Sequence, residues 1–292
     1  MFVITMLTNP ETRGLDPALV DAVRNAWGGG DAVWLAPDEA AEFGVNAIPG
    51  NRWDVWQECQ ALGVDLNILP AEGRRKKLLL ADMDSTLIHQ ECIDELAAEA
   101  GFGEEVSAIT AQAMNGEIDF EGAIDARVAL LSGLSESVIT KVLRDRITYM
   151  PGGAELVATM RPQGAYTALV SGGFTDFTHA VAAHLGFDEN RANVLERGDG
   201  VLTGKVRKPV LGREAKVDAL EHITRTRGWS PEDAIAVGDG ANDLGMLGLA
   251  GIGVALHAKP AVAAQCDVRV NHGDLTALLY LQGYSRDEFV VP

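Results

Sequence analysis

Apolar residues follow two patterns along the chain: short unbroken runs bounded by turn residues, and longer stretches where they recur at helical spacing. The first pattern reads as buried strands and the second as amphipathic helices. Phe2 to Leu7 is the first strand. A helix is predicted from Pro17 to Trp27, with Asp16 as N-cap and Gly28-Gly29-Gly30 as its stop. Ala32 to Leu35 reads as a strand, Asp54 to Leu62 as a helix and Val64 to Leu69 as another strand. Residues 1–72 therefore form a small α+β unit. Trp27, Trp34, Trp53 and Trp56 suit core or interface positions in it better than a cofactor site. Glu72 to Lys77 is a charged connector, and its basic run reads as solvated linker.

At Leu78 the pattern changes. Leu78-Leu79-Leu80-Ala81 is a buried strand that ends abruptly in Asp82-Met83-Asp84-Ser85-Thr86. An acidic, Ala-rich helix follows from Glu91 to Glu99, and residues 92–147 read as helices separated by Gly101, Gly116 and Gly133. With no strand in it, this insertion would form a cap over the strand ends. From Pro151 the rhythm is helix–strand, the signature of a parallel sheet. Pro151 suits the first turn of a helix that stops at Gly164. Ala165 to Val170 is a strand, and Phe174 to Leu185 a helix. Gly198-Asp199-Gly200 marks a hairpin within Asn193 to Arg207, expected as a β-ribbon at the sheet edge. Arg213 to Thr226 is an amphipathic helix. Ala234 to Val237, Gly251 to Leu256 and Asp267 to Val270 complete the strands, and Leu275 to Leu281 is a terminal packing helix.

Composition narrows what such a chain can do. The 292 residues are 47% hydrophobic, enough for a sizeable core. The net charge of −18 argues against nonspecific binding to nucleic acid or to anionic membranes. It leaves room for a phosphorylated small molecule, because local cations override the global field. Cys59, Cys92 and Cys266 are too few and too widely spaced for a disulfide framework or a zinc site. No signal-peptide pattern and no apolar run of membrane-spanning length is present, so a cytoplasmic location is expected.

The chemistry lies at strand ends, where open α/β sheets bind ligands. Asp82 and Asp84, two residues apart, share one face of an extended chain. Such a pair needs a cation or a shared proton. Mg²⁺ suits carboxylates and substrate phosphate together, and a carboxylate can also act as a nucleophile. The same residues could serve only as an N-cap and turn. Ser171-Gly172-Gly173 can cradle phosphate with backbone N–H groups, or be an ordinary turn between strand and helix. Lys216 could point at phosphate or into solvent. Gly238-Asp239-Gly240-Ala241-Asn242-Asp243 places a further carboxylate cluster beyond a strand end, with Asp239 the better metal ligand and Asp243 a cap or an orienting group. Arg127 lies in an apolar helical segment and would either snorkel to the surface or meet a substrate carboxylate in the cleft. His257 and His272 have no partner spacing that suggests a metal. The Gly-x-Gly segments lack the context of a dinucleotide site.

In this order, these motifs resemble the haloacid dehalogenase superfamily of phosphatases. With Glu91, Asp119-Phe120 and Arg127 between the first two motifs, residues 76–285 look like its phosphoserine phosphatases. The resemblance implies a Rossmann-like parallel-sheet core over residues 76–292, a helical cap at about 92–147, and an ACT-like N-terminal domain. It implies Asp82 as nucleophile and Asp84 as general acid and then base. Mg²⁺ would be held by Asp82, the Asp84 carbonyl and Asp239, with Asp243 in support. Ser171, Gly172 and Lys216 would bind phosphate, and Asn242 would contact phosphate or the attacking water. Glu91 would take the substrate ammonium, Arg127 its carboxylate, and Phe120 would close over its aliphatic part. The implied substrate is O-phosphoserine. Another small phosphomonoester, or transfer to an alcohol acceptor, is the alternative. A homodimer and an amino-acid effector at the N-terminal domain are open partners.

Overall fold

The computed structural model describes residues 1–114 and 117–292. The N-terminal unit runs β1 (Phe2–Leu7), α1 (Pro17–Ala26), β2 (Val33–Ala36), β3 (Ala40–Val45), α2 (Arg52–Ala61) and β4 (Asp65–Pro70). Its strands form an antiparallel sheet in the order β2-β3-β1-β4, the βαββαβ order of ferredoxin-like units. Asp16 caps α1 by accepting from the Ala18 N–H at 2.8 Å. Strand β3 was not legible in the sequence, because Ala40-Ala41-Glu42-Phe43-Gly44-Val45 mixes residues of weak strand preference. Pairing with β1 and β2 supplies what propensity does not.

Alternation along β4 shows how this sheet is used. Leu66 packs with Ile4, Phe43 and Val20 in the unit's own core, and Ile68 lies against that cluster. Leu69, on the opposite face, joins the cluster of the larger domain. Asp65 and Asn67 share the Leu69 face. The fully buried Asp65 carboxylate accepts the backbone N–H groups of Asn271, His272 and Gly273 at 2.8–2.9 Å. Asn67 exchanges two hydrogen bonds with the Arg269 backbone. The sheet is thus docked by a buried polar seam. The basic connector is pinned as well, although Arg75 and Lys77 stay exposed as expected. Arg74 forms a bidentate pair with Glu42 at 2.7 and 3.0 Å. Arg75 meets Glu288 and stacks on Tyr284, Lys76 reaches the Glu232 carbonyl, and Lys77 pairs with Asp233.

The larger domain opens with β5 (Leu78–Ala81). The cap helices follow: α3 (Cys92–Ala100), α4 (Gly103–Met114), α5 (Phe120–Ala129) and α6 (Ser137–Asp145). Gly116, expected to separate two of them, lies outside the described residues. Then come α7 (Gly153–Met160), β6 (Tyr166–Phe174), α8 (Thr175–Leu185), β7 (Glu189–Asn193), β8 (Leu195–Gly198), β9 (Val201–Val206), α9 (Arg213–Thr226), β10 (Ala234–Gly238), α10 (Leu244–Leu249), β11 (Ile252–Leu256), α11 (Pro260–Ala263), β12 (Val268–Val270) and α12 (Ala277–Leu281). Six strands form a parallel sheet in the order β12-β11-β10-β5-β6-β7. Strand β5 is central, with β10 and β6 on its two sides, so the chain reverses its direction of spread across the sheet there. That is the position where such sheets bind ligands, beyond the strand carboxyl ends. All of Leu78–Ala81 is buried, with Leu79 in one hydrophobic cluster and Leu78 and Leu80 in the other. Among the described residues no helix is long and apolar enough to cross a membrane.

Several expectations are corrected here. Pro151 stands ahead of α7 rather than in its first turn. Phe174 ends β6 instead of opening α8, so Ser171-Gly172-Gly173 lies within an irregular end of the strand, where the register with β7 shifts. The sheet edge is β7, whose polar sequence Glu-Asn-Arg-Ala-Asn hid it. The β8–β9 ribbon is a separate sheet joined to the cap: Leu202 donates its N–H to Leu134, and its carbonyl accepts from Gly133. The two linkers between cap and core are also tied together, through His89 N–H to Thr148, Met150 N–H to Leu87 and the Gln90 amide to the Thr148 hydroxyl.

The variant Asp65→Ala is predicted to lower the free energy of unfolding by about 3 kcal/mol, since it strands three backbone N–H groups. Urea melts measure this, and a loss below about 1 kcal/mol would show that water takes over the carboxylate's role.

Candidate active site

Asp82 leaves β5 directly, its N–H still bonded to the Val237 carbonyl of β10 at 3.1 Å. The chain then turns tightly: the Met83 carbonyl accepts from Thr86 and Leu87, and Ser85 adopts a positive φ of 56°. The turn sends Asp84 toward the start of α3, where its carboxylate accepts the Cys92 N–H at 3.2 Å. Burial, reinforced by Glu91 and Asp82, pushes Asp84 up to about 8. It therefore carries a proton near neutrality, while it is hydrogen-bonded at a helix start. Burial also pushes Glu91 up, opposed by a 3.0 Å hydrogen bond from the Ser85 hydroxyl.

Lys216 reaches in from the first turn of α9 and is 1% exposed. Its ammonium lies 2.8 Å from Asp82 Oδ2 and 2.5 Å from Asp243 Oδ1. Burial opposes the charge, but Asp82 and Asp243 outweigh it and hold the lysine above its usual range. Asp243 also accepts the Gly240 N–H at 2.9 Å. Burial and the neighbouring Asp82 push it up, and Lys216 pulls it back. This packing requires Gly238, since a Cβ there would lie 2.3 Å from the Asp243 carboxyl carbon. Asp239 is likewise pushed up by burial and by Asp82, and the Thr86 hydroxyl donates to it at 3.1 Å.

One carboxylate oxygen from each of Asp82, Asp239 and Asp243 lies within 4.8 Å of the others. Asp82 Oδ1 is buried among them without a hydrogen-bond partner. Three hard oxygen donors, one of them orphaned, fit a divalent cation. Lys216 alone does not neutralise them. Asp243 is already committed to Lys216 and Gly240, which leaves Asp82 and Asp239 as the available side-chain ligands.

These groups form one wall of a cavity of about 410 Å³. Core residues on that wall are Asp82, Asp84, Ser171 to Phe174, Asp239 to Asn242 and Lys259. Glu91, Ile93, Thr110, Ala113, Ile118, Phe120, Ile124 and Arg127 form the other wall. Arg127 is therefore a cavity residue and not a snorkelling one. Burial pulls its pKa down, and Asp94, Glu91 and Asp84 oppose that. Its Nε donates to the Ala123 carbonyl at 3.2 Å, which fixes the side chain along α5. Phe120 rests on Gly172 and Gly212: a Cβ at either would come within 3.3–3.4 Å of its ring. Thus Asp82, Asp84, Glu91, Phe120, Arg127, Ser171, Gly172, Asp239 and Asn242 all line one cavity. Lys216 and Asp243 stand behind it, and Lys216 meets Asp82 instead of pointing freely into the space.

Three residues escaped the sequence reading. Thr86 donates its hydroxyl to Asp239 and orients it, a role its place in the turn after β5 does not signal. Asn193 is buried on β7, and its amide binds the Gly172 carbonyl at 2.8 Å and both the carbonyl and N–H of Leu211. It fixes the Gly172 loop against the entrance of α9, and nothing in its local sequence signals this. Lys259 comes from the loop after β11. The arrangement offers a carboxylate held by a lysine, a protonated carboxyl beside it, a cation site and an anion cradle facing a charged cap.

Residues 79–248 match the family described as haloacid dehalogenase-like hydrolase. The chain is 40% identical over 293 residues to a phosphoserine phosphatase of Streptomyces coelicolor, covering 98% of this chain and 71% of that protein. In structure it is similar to a hydrolase of the same family from Salmonella enterica serovar Typhi, with a TM-score of 0.86 at 28% identity over 98% of this chain and 99% of the other. It is also similar to a phosphoserine phosphatase solved as a phospho-aspartyl intermediate analogue, with a TM-score of 0.65 at 42% identity over 70% of this chain and 98% of that one.

Thr86→Val is predicted to weaken divalent-cation binding about tenfold, the scale of effect seen when a ligand's orienting partner is removed. Calorimetric titration of the purified variant tests this, and unchanged affinity would remove Thr86 from the site.

Proposed function

The chain belongs to the haloacid dehalogenase-like hydrolases, and from that premise we propose how its residues hydrolyse O-phosphoserine to serine and phosphate. The observation that supports this most is the pairing of walls in one cavity, Asp82 and Asp84 on the core and Glu91 and Arg127 opposite. A phosphomonoester whose other end carries an ammonium and a carboxylate complements both.

In this reading the Asp82 carboxylate attacks phosphorus in line with the seryl oxygen. The P–O bond to serine breaks as Asp84 delivers its proton to the leaving oxygen, a contribution of about 10²–10⁴-fold. Serine leaves, and Asp84, now ionised, takes a proton from water as that water attacks the phosphorus of the aspartyl-phosphate. The P–O bond to Asp82 then breaks, which regenerates the carboxylate and releases phosphate. Lys216 orients Asp82 through their 2.8 Å ion pair. Ser171 and the Gly172 backbone hold the phosphoryl oxygens, and Asn242 contacts the phosphate or the water. Glu91 binds the ammonium, Arg127 the carboxylate, and Phe120 covers the methylene. Mg²⁺ is the cation that suits the site, and Asp82, the Asp84 carbonyl and Asp239 would hold it, with Asp243 in support. When bound, it supplies positive charge to the equatorial oxygens of the transferring group.

The βαββαβ order of the N-terminal unit supports an ACT-like reading, and with it an amino-acid effector and pairing between two copies of the chain. The three cysteines are buried and unpaired, which suits a reducing cytoplasm.

Phosphate release from a panel of phosphomonoesters, with and without Mg²⁺, tests the proposal. Mg²⁺-dependent preference for phosphoserine without any alcohol acceptor is expected, and Asp82→Asn should abolish turnover with the fold intact. Equal rates across the panel would remove phosphoserine as the substrate. Arg127→Ala is expected to lower kcat/KM for phosphoserine about 100-fold, on the scale of a lost charge-assisted contact, while sparing a neutral aryl phosphate. Equal loss on both would remove Arg127 from the carboxylate site.

A further inference from the structure

Two cations line the active-site cavity among the described residues, Arg127 from the α5 side and Lys259 from the core side. Lys259 stands at the carboxyl end of β11, at the N-cap position of α11, and Pro260 follows it in the first helical turn. Strand β11 lies beside β10, whose loop carries Asp239 and Asn242. Lys259 is close enough to Asp239 to favour its ionised form. It is exposed, and among the described residues its ammonium has no ion-pair partner. Four other lysines are paired with carboxylates: Lys77 with Asp233, Lys141 with Glu99, Lys208 with Glu121 and Asp125, and Lys216 with Asp82 and Asp243.

The electrostatic setting gives a free cation at this place a task. The chain carries a net charge of −18, and Asp82, Asp84, Glu91 and Asp239 all face the cavity. A phosphomonoester dianion approaches against that field. Lys216, the other cation of the core wall, is buried behind Asp82 and cannot act on a ligand still at the mouth. Arg127 stands opposite, beside Glu91.

We propose that Lys259 captures the phosphate end of the incoming substrate at the cavity mouth, setting kcat/KM through KM rather than through the P–O chemistry. The proposal rests on the reading of the core wall as the phosphate side. A solvated lysine on a flexible stem suits capture, since its charge acts before contact and costs little reorganisation. Its action is screened by salt, because the Debye length is only about 8 Å at physiological ionic strength.

The test compares Lys259→Gln and Lys259→Arg with the unmodified protein, using O-phosphoserine and an aryl phosphate whose aryl group is uncharged, at low and at physiological ionic strength. Lys259→Gln is expected to lower kcat/KM about fivefold at low salt on both substrates, with kcat held within about twofold. The deficit should shrink as salt is added, and Lys259→Arg should restore the rate. Inorganic phosphate should inhibit the Gln variant less. Three results would overturn the proposal: an unchanged kcat/KM, a deficit that salt does not reduce, or a deficit confined to phosphoserine. The aryl phosphate keeps this test separate from the substrate assignment. If the unmodified protein hydrolysed it but not phosphoserine, the substrate reading would fail while the Lys259 effect could still be measured.

Discussion

Lys216, buried between Asp82 and Asp243, is the interaction on which the site depends. It joins three segments distant in sequence: the end of β5, the first turn of α9 and the loop from β10 to α10. Breaking a buried pair of this kind typically costs about 3–5 kcal/mol, because the remaining charge is left uncompensated. The same interaction sets the chemistry. One lysine facing several carboxylates leaves negative charge uncompensated, and Asp82 Oδ1 has no donor. A divalent cation answers both deficits. The fold is thus arranged so that completing the site requires the group that the reaction needs.

The cap turns that charged floor into a chamber. It contributes apolar wall through Ile93, Ile118 and Ile124, and Glu91 at its first helix adds to the burial that pushes Asp84 up to about 8. Burial therefore separates the roles of two neighbouring aspartates. Asp82 is held in place by its 2.8 Å ion pair with Lys216, whereas burial and the like-charged Glu91 and Asp82 push Asp84 up to about 8. The cap acts as a unit because the β8–β9 ribbon is bonded to it and its two linkers are bonded to each other. Phe120 rests on two glycines of the core, so its seat depends on their lack of side chains and on Asn193, which ties the segments carrying them together. The N-terminal sheet stands outside this machinery, held by Asp65, Asn67 and the paired connector arginine, Arg74.

Much of this was legible in the sequence. The run Leu78 to Ala81 had to be a buried strand, because four apolar residues ending in Asp-x-Asp have few other uses. The parallel sheet followed from the helix–strand rhythm, and Asp82, Asp84, Ser171, Gly172, Asp239, Asn242 and Asp243 stood out in short motifs at strand ends, whereas the roles of Glu91 and Phe120 in the cap came only with the family resemblance. Residue type at those positions is compatible with phosphoryl chemistry and a hard cation, and the family resemblance is what singled that chemistry out.

What tertiary structure alone decided concerns partners far apart in the chain. Strands β3 and β7 exist because neighbours pair with them, against weak local preference. The ribbon joins the cap instead of the sheet edge, a choice between two distant surfaces that a hairpin signal cannot make. Asn193, Thr86 and Lys259 gained their places from segments that meet only after folding. The upward push on Asp84 depends on burial and on Glu91 and Asp82 beside it, a setting no local motif encodes. Sequence determines which groups are present and the secondary structure nearest them. Distance, burial and the balance of charge arise only when those segments are brought together.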